Sequence, residues 1–428
     1  MSKKRVVITG MGAITPIGNN LKEYNQSLFN GISGCKLITR FDASKFKTRF
    51  ACELKNYDPL NYFDKKESRK MDAFAQYGLI VAEEALQDSG IDLNEIDKNK
   101  FGVIWGSGVG GIETFQNELI NFSENNKNPR FNPFFIPKLI PDICPGLIAI
   151  KYGLKGPNFA TVSACASASN AIIDSFNYIK SGTSDIIITG GSEAAVNETG
   201  VGGFNALKAL SERNNSPATA SRPFDKERDG FVLGEGGGGL ILENYDHAIK
   251  RNAKIYAEII GFGMSCDAHH ITAPHPEGEG ARLVMNNAIN NANIRKEEID
   301  YINVHGTSTP LGDKSEICAI ENVFNDHAYN INISSTKSMT GHLLGAAGAI
   351  ESIASIISIN EGFVPPTINH FNKDEEFNPR LNLTLNKTQK KDVNIAISNT
   401  FGFGGHNTSI IFKKINLKWI IFLKIKKI

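Results

Sequence analysis

The chain has 428 residues, of which 41% are hydrophobic and 21% are charged, and its net charge is +1. This composition is typical of a globular protein with two or three domain-sized units, and no basic tract of the kind that nucleic-acid binding needs is present. No apolar run reaches the roughly 20 residues of a membrane span. The six cysteines are scattered and no secretion signal precedes the first predicted strand, so we expect a reduced, cytoplasmic protein.

Short β-branched segments that end in small residues alternate with helical segments along the chain, which predicts an α/β fold. The predicted strands are Val6–Gly10, Phe101–Gly106, Asp185–Gly190, Tyr301–Gly306 and Val393–Ser398. The apolar spacing predicts helices over Met71–Gly90, Ala168–Ser181, Glu279–Ala292 and Leu343–Ile359.

A weak internal repeat relates the first half of the chain to the second half. In order, the matching segments are Val6–Gly12 with Glu258–Gly263, Phe101–Gly108 with Ile302–Thr307, Ala160–Ile173 with Ile333–Ile353, and Gly237–Leu242 with Asn407–Phe412. The repeat predicts two similar halves, residues 1–250 and 251–415, whose equivalent turns meet at a seam that favours ligand binding. Chance similarity among segments rich in glycine and alanine is the alternative.

Cys165 lies where a predicted strand ends in a turn of small residues and a helix begins. The free N–H groups and the partial positive charge of a helix N-terminus favour a thiolate, so the sequence predicts a lowered pKa for this thiol. Its small neighbours leave room for a substrate. The alternative is a buried structural cysteine, which is the preferred interpretation of the other five cysteines.

His305 follows a hydrophobic strand and precedes a run of small hydroxyl residues. This position suits a histidine that faces a ligand, and the hydroxyls of Thr307 and Thr309 would bond a polar chain lying in a groove. A simple turn cluster is the alternative, because serine and threonine favour turns.

Lys337 and His342 lie five residues apart before a helix that is rich in alanine and glycine. The glycines allow that helix to pack closely, and Glu351 within it is positioned to pair with Lys337. A lysine beside a catalytic histidine holds charge and geometry, whereas a lone lysine is more often a surface charge.

The segment Asn399–Asn407 contains three glycines and two phenylalanines after a strand. This composition predicts a mobile loop with an aromatic tip, whose backbone N–H groups supply half of an oxyanion hole. A glycine-rich turn before the last strand is the alternative.

A cysteine together with histidine bases is the combination used for acyl transfer through a thioester. The sequence contains no HExxH motif and no cysteine-rich cluster, so no metal is expected. The run Ser107–Gly111 lacks the spacing of a dinucleotide or phosphate-binding fingerprint, so no cofactor is expected either.

Four motifs, VSACAS, NVHGTSTPLGD, SSTKSMTGHLLGAAGAIE and NTFGFGGHN, together resemble the β-ketoacyl-[acyl-carrier-protein] synthase II family of elongating condensing enzymes. The resemblance covers about residues 4–415. It implies a thiolase fold, in which two related α/β halves stack as five αβαβα layers, and a homodimer. It also implies the decarboxylative condensation of malonyl and acyl thioesters carried by acyl carrier protein in type II fatty acid elongation.

The resemblance assigns a role to each matching position. Cys165 is the implied acyl acceptor, with His305 and His342 as the histidine pair. The remaining roles are a lysine–glutamate pair at Lys337 and Glu351, an oxyanion donor and gate at Phe401, contacts to phosphopantetheine at Thr307, Thr309 and Thr272, an acyl-pocket position at Val109, and a surface for the carrier protein at Lys66, Arg69, Lys70 and Lys208.

Two alternatives to fatty acid elongation remain open at the level of the sequence. A ketosynthase of an aromatic polyketide system has the same chemistry and another product. A non-catalytic partner protein of the same fold lacks the active cysteine, so the presence of Cys165 argues against it. His342 in a TGH context favours the elongating class, because chain-initiating members pair the cysteine with histidine and asparagine.

Residues 416–428 extend beyond the usual end of the family. They contain four lysines and no acidic residue among apolar side chains. The segment is too short to span a bilayer, and contact with an anionic membrane surface or an adventitious extension are the two interpretations.

Overall fold

The computed structural model describes residues 4–415. The predicted tail, residues 416–428, and its membrane contact therefore lie outside the described residues. Within residues 4–415, no helix has both the length and the apolar character that crossing a membrane requires.

The strands and helices alternate in the way that the sequence predicts. The strands are β1 Val6–Ile14, β2 Lys36–Leu37, β3 Phe50–Ala51, β4 Phe101–Gly106, β5 Asn158–Thr161, β6 Ile186–Glu193, β7 Gly236–Asn244, β8 Ala257–Cys266, β9 Tyr301–Asn303, β10 Asn332–Ser334, β11 Phe363–Val364, β12 Gln389–Lys390, β13 Ile395–Gly402 and β14 His406–Lys413. The α-helices are α1 Leu21–Asn30, α2 Lys65–Ser68, α3 Ala73–Ser89, α4 Ile112–Glu124, α5 Phe135–Leu139, α6 Ile143–Tyr152, α7 Ser167–Lys180, α8 Glu198–Ala206, α9 Tyr245–Lys250, α10 Glu279–Ala292, α11 Pro310–Phe324, α12 Lys337–Thr340 and α13 Ala347–Glu361.

Ten strands form one mixed sheet in the order β5-β4-β6-β7-β1-β8-β14-β13-β9-β10. The order is mirrored about the antiparallel junction of β1 with β8, where Val6 lies opposite Ile259. The parallel and antiparallel pairings on one side repeat on the other. The segments of the internal repeat occupy equivalent strands, and on this equivalence we propose the division into halves near residue 250.

Helices cover both halves of the sheet and also separate them. On one outer face α3 packs against β1, β6 and β7, and on the other α10 packs against β8 and β14. Between the two half-sheets α7 contacts α13, and each of these helices touches strands of both halves. The apolar side chains of the central helices are fully buried, as their positions between two sheets require. The result is a five-layer αβαβα arrangement.

Several predicted boundaries differ from those of the structure, and two of the differences are described here because they lie at the site. Strand β9 ends at Asn303 rather than Gly306, because the Glu316 carboxylate accepts the backbone N–H groups of His305 and Gly306 at 2.9 and 2.8 Å. Strand β13 continues through Gly402, so the predicted glycine-rich loop shrinks to residues 403–405.

Candidate active site

Cys165 lies in a tight turn between β5 and the start of α7. Ala164, the residue before it, has a left-handed φ of 51°, which directs the chain sharply into the helix. Ser167 stabilises the turn, because its hydroxyl donates to Ala164 O at 2.6 Å and accepts from Ser163 N at 3.0 Å. A Cβ at Gly402 would lie 2.8 Å from Ser163 O, so only glycine allows β13 to approach this turn.

Two histidines from the second half of the chain meet this cysteine. His342 Nε2 lies 3.0 Å from Cys165 Sγ. The His305 ring stands edge-on to His342, with ring centroids 5.3 Å apart. Backbone hydrogen bonds hold His342 in place: its N–H donates to Val232 O at 2.7 Å, and its carbonyl accepts from Gly234 N at 2.9 Å. The thiol and both imidazoles therefore converge on one point.

The protonation states in this cluster differ from the sequence prediction. Burial raises the pKa of the Cys165 thiol to about 12, although the charge of Lys337 and the N–H of Phe403 oppose the shift. The predicted lowering of this pKa by the helix terminus is therefore wrong for the resting site. Burial, and then the charge of Lys337, hold the pKa of both His305 and His342 well below its ordinary value. The site at rest holds a thiol beside two neutral imidazoles.

Lys337 and Glu351 form an ion pair that is almost completely buried, with each side chain 1% exposed. Lys337 begins α12 and Glu351 lies in α13. Burial raises the pKa of Glu351 to about 7, while Lys337 acts in the opposite direction. The ammonium thus supplies a fixed positive charge behind the two histidines.

We expect the Lys337→Ala variant to lose about 3 kcal/mol of unfolding free energy, because it leaves the Glu351 carboxyl buried without its partner. The pKa of Glu351 in the folded variant then rises further above its unfolded value. A raised folded-state pKa means that the loss is smallest at pH 5 and grows as the pH rises toward 8. Urea denaturation at both pH values measures this.

A Lys337→Met/Glu351→Leu double variant is the matched control for that experiment. Replacing both members of a buried pair by apolar residues is close to neutral for stability. The double variant is expected to recover most of the stability but not the activity. Equal stability of the single variant at pH 5 and pH 8 would contradict the assignment of a coupled, buried pair.

The segment Asn399–Asn407, predicted to be a mobile loop with an aromatic tip, is arranged differently around the cysteine in the structure. The backbone N–H that hydrogen-bonds to the Cys165 sulfur is that of Phe403. Phe401 lies within β13 and places its ring 5.7 Å from the ring of His305. The structure therefore places the N–H of Phe403 beside the thiol, and the donation of Phe401 N–H to an oxyanion stays a prediction.

A cavity of about 570 Å³ opens in front of the cysteine and the two histidines. Among the residues predicted to bind substrate, those lining it are Val109, Thr272, Thr307 and Thr309. The hydroxyls of Thr307 and Thr309 lie 3.0 Å apart, so they present a polar strip on one wall. Lys208, predicted to bind carrier protein, also lines this cavity and does not border the basic depression described next, so its role stays a prediction.

The other three residues predicted to bind carrier protein lie together on the surface. Lys66, Arg69 and Lys70 surround a shallow depression that also includes Phe134. The Lys70 ammonium lies 5.5 Å from the centre of the Phe134 ring. A basic rim with an exposed aromatic side chain is suited to an acidic protein surface.

The sequence interpretation overlooked two buried carboxylates that position the site. Glu193, at the end of β6, accepts N–H groups from Gly108 at 2.7 Å, Val109 at 3.2 Å and Gly345 at 3.0 Å. It thereby ties the acyl-pocket loop to the segment after His342. The other is Glu316, described above with β9. In the sequence Glu193 comes shortly after two glycines at the end of a strand, a pattern that could have identified it as a candidate site residue.

The side chains of Cys165, His305 and His342 are also of the types that bind metal ions. The donor atoms of Cys165, His305 and His342 lie within 4.8 Å of one another, and Zn²⁺ accepts such ligands. The charge of Lys337, which lowers the pKa of both histidines, also repels a cation from this position. The cluster therefore fits acyl chemistry better than metal binding.

Comparison with protein families and curated proteins gives a consistent result. Residues 3–248 match the β-ketoacyl synthase N-terminal domain, and residues 256–371 match the C-terminal domain. The 3-oxoacyl-[acyl-carrier-protein] synthase 2 of Synechocystis sp. is 47% identical over 97% of this chain and 99% of its own length. The protein of that name from Staphylococcus aureus is 48% identical over 96% of this chain and 98% of its own.

Solved structures of ketosynthases have the same fold. A β-ketoacyl synthase from Burkholderia phymatum aligns with a TM-score of 0.89 at 34% identity, over 96% of this chain and all of that one. The ishigamide ketosynthase/chain length factor aligns with a TM-score of 0.90 at 32% identity, over 97% and 100%. The predicted thiolase-like α/β fold is confirmed. By sequence and by fold, the chain belongs to the β-ketoacyl synthase family.

Proposed function

We propose that the chain catalyses the decarboxylative condensation of malonyl-acyl-carrier protein with an acyl group held on Cys165, in type II fatty acid elongation. The products are 3-oxoacyl-acyl-carrier protein and CO₂. The observation that carries this proposal is the 3.0 Å contact of Cys165 Sγ with His342 Nε2 inside a cavity that His305 also lines. Relatives that are 46–48% identical bear the name of this activity.

Acyl transfer to the cysteine begins with a proton transfer. The pKa of the Cys165 thiol is about 12, so attack requires a base, and the neutral imidazole of His342 is in hydrogen-bond contact with the sulfur. The thiolate attacks the acyl thioester, a tetrahedral oxyanion forms, and the carrier thiol leaves with a proton. The backbone N–H groups of Cys165 and Phe403 stabilise that oxyanion in our proposal.

Decarboxylation uses the histidine pair. Malonyl thioester enters after the carrier thiol leaves, and its thioester oxygen accepts hydrogen bonds from His305 and His342. Loss of CO₂ leaves the bonding electrons as an enolate on that oxygen. Burial and Lys337 lower the pKa of both histidines, so each is neutral, and after the carrier thiol has left, His342 donates in the tautomer that carries its proton on Nε2. The enolate carbon then attacks the acyl group, the C–S bond breaks, and the released Cys165 thiolate takes up one proton from solvent to restore the resting thiol.

The cavity separates the two parts of the substrate. The threonine hydroxyls, Thr272, Thr307 and Thr309, are the proposed contacts of the phosphopantetheine arm, and Val109 borders the acyl chain. Glu193 is the positioning residue that sets the distance between the acyl pocket and His342, because it binds the backbone of both segments.

Carrier-protein docking at the basic depression makes a testable prediction. Replacing Lys66, Arg69 or Lys70 by glutamate is expected to raise the KM for carrier-bound substrate by about three- to tenfold, with little change in kcat, because opposite charges guide association. The effect should shrink as salt is added. Lys250→Glu, on α9 against β1 and β7, is the control. Equal KM values for all four variants would reject this surface.

The predicted homodimer and cytoplasmic location belong to the same proposal. Strand β5 is at the end of the ten-strand sheet, and Val162, directly after it, is 61% exposed. An edge strand with apolar neighbours is suited to pairing with the same edge of a second copy. Sedimentation as a monomer at micromolar concentration would contradict the homodimer.

Polyketide synthesis and a non-catalytic partner role are the competing functions. A ketosynthase structure from a type II polyketide system is 31% identical to this chain, below the 46–48% of the relatives named as 3-oxoacyl synthases. Intact-mass spectrometry decides between the functions. We expect a long-chain acyl adduct on Cys165 that malonyl-carrier protein discharges as 3-oxoacyl product. A folded protein that forms no adduct would favour the partner role.

A further inference from the structure

Two buried cysteines face each other beside the segment that carries His342. Strands β2 and β3 are antiparallel, with Lys36 opposite Ala51. Continuing this register by one residue places Cys35 directly opposite Cys52. Both are buried, 3% and 1% exposed, and belong to one small apolar cluster. The sequence suggested six isolated cysteines, and only the strand register brings these two together.

The hydrogen-bond pattern gives the type of cross-strand pair. Ile38 N–H donates to Arg49 O at 3.0 Å, so residues 38 and 49 are a hydrogen-bonded pair. Pair types alternate along an antiparallel ladder, which makes Cys35 and Cys52 a non-hydrogen-bonded pair. In agreement, Cys52 N–H donates away from β2, to Leu233 O at 2.8 Å.

This pair geometry is compatible with a disulfide. Directly opposite residues of a non-hydrogen-bonded pair have Cα atoms about 4.5 Å apart, within the range of roughly 4.4–6.8 Å found for disulfides. We propose that Cys35 and Cys52 are an oxidation site at which a small peroxide produces an intramolecular disulfide.

One peroxide molecule oxidises the two protein thiols by two electrons in total. One thiol is oxidised to a sulfenic acid while the peroxide O–O bond breaks and water or an alcohol leaves. The second thiol displaces water from that sulfur, so the S–O bond breaks and the S–S bond forms. Burial raises the pKa of Cys52 well above its ordinary value, so we expect formation to be slow and to require a small oxidant.

The disulfide would change the support of the catalytic histidine. Gly341, which precedes His342, packs on Cys52 so closely that a Cβ there would lie 2.8 Å from Cys52 Sγ. The backbone of the segment Val232–Gly234 is hydrogen-bonded to the backbone of Cys52 on one side and to that of His342 on the other. Movement of the Cys52 sulfur toward Cys35 withdraws a contact from the Gly341 backbone and shifts His342.

Peptide mapping of the full-length protein tests the disulfide. The reduced protein is treated with hydrogen peroxide and then denatured in the presence of N-ethylmaleimide, which blocks the remaining free thiols. It is digested without reductant. We expect a cross-linked peptide that contains Cys35 and Cys52 and disappears after dithiothreitol. It should be absent from Cys35→Ala and present in Cys144→Ala, whose buried cysteine contacts Ser192 rather than another cysteine. Maleimide on both Cys35 and Cys52, in samples where the exposed Cys266 is oxidised, would overturn the proposal.

The effect on His342 rests on the proposed function and has a separate measurement. Malonyl decarboxylation by a Cys165→Gln variant avoids oxidation of the nucleophile, and we expect the disulfide to slow it by up to about tenfold. Cys35→Ala in that background should abolish the effect of peroxide. Equal rates with and without the mapped disulfide would overturn the coupling. No decarboxylation in the reduced variant would instead count against the proposed mechanism, and the peptide map would still decide the disulfide.

Discussion

Replacing Cys165 by glutamine is expected to lower condensation by a factor of about 10⁴ or more, because no other group in the cavity accepts the acyl chain. Decarboxylation of malonyl-carrier protein is expected to persist, since His305 and His342 remain to stabilise the enolate. Two assays on the same variant measure this: release of CO₂ from malonyl-carrier protein, and formation of 3-oxoacyl product.

The control for that experiment is Cys144→Ala, which removes a buried thiol that does not line the cavity of Cys165. Cys144 lies in α6 and contacts Ser192, so its loss tests whether removal of a buried cysteine alone reduces activity. Condensation at the normal rate by Cys165→Gln would refute the assignment of the nucleophile. Loss of both reactions in a variant that unfolds at the normal urea concentration would show that the cysteine also takes part in decarboxylation.

Removing either histidine is expected to reduce malonyl decarboxylation by a factor of about 10²–10³, the typical cost of one oxyanion donor. The two variants should differ in the first step. His342→Ala should also acylate slowly, because His342 Nε2 contacts the Cys165 sulfur, whereas His305→Ala should acylate at nearly the normal rate. Intact-mass time courses with acyl-carrier protein measure acylation separately from CO₂ release.

His327→Ala is the matched control for the histidine variants. Its Nε2 lies 3.1 Å from Ile299 O, a contact away from the catalytic cavity, so activity should change little. Equal acylation rates in His305→Ala and His342→Ala would contradict the assignment of His342 as the base. The same split separates this assignment from a merely structural role, which would slow both reactions in both variants.

The proposed nucleophile and the first of the two proposed histidines stood out in the sequence because each follows a strand end and precedes a turn of small residues. Cys165 and His305 have this local pattern, and the internal repeat predicts that turns of the two halves meet. The ten-strand sheet places the repeated segments on equivalent strands, and α7 and α13 lie together at its centre. Much of the site could therefore be predicted from the local sequence pattern together with the internal repeat.

Contacts between distant segments could not be inferred from local patterns. The length of β13 is one example: its pairing with β14 continues through Gly402, which leaves Phe403 in the turn beside the Cys165 thiol. The pKa of Cys165 depends on burial, which outweighs the helix terminus that the sequence revealed. Glu193 accepts the backbone N–H of Gly108, which is distant from it in the sequence. Glu316 accepts the backbone N–H of His305, and strand β9 ends before that residue.

By itself the amino-acid sequence determined the alternation of strands and helices, the internal repeat and the candidate reactive side chains, since strand and helix periodicity and turn composition are local properties. Only the tertiary structure decided which of those side chains meet and how they are protonated. It set the 3.0 Å contact of Cys165 with His342 and the facing pair of Cys35 and Cys52. Register, burial and charge at a site come from packing between segments that are far apart in the chain.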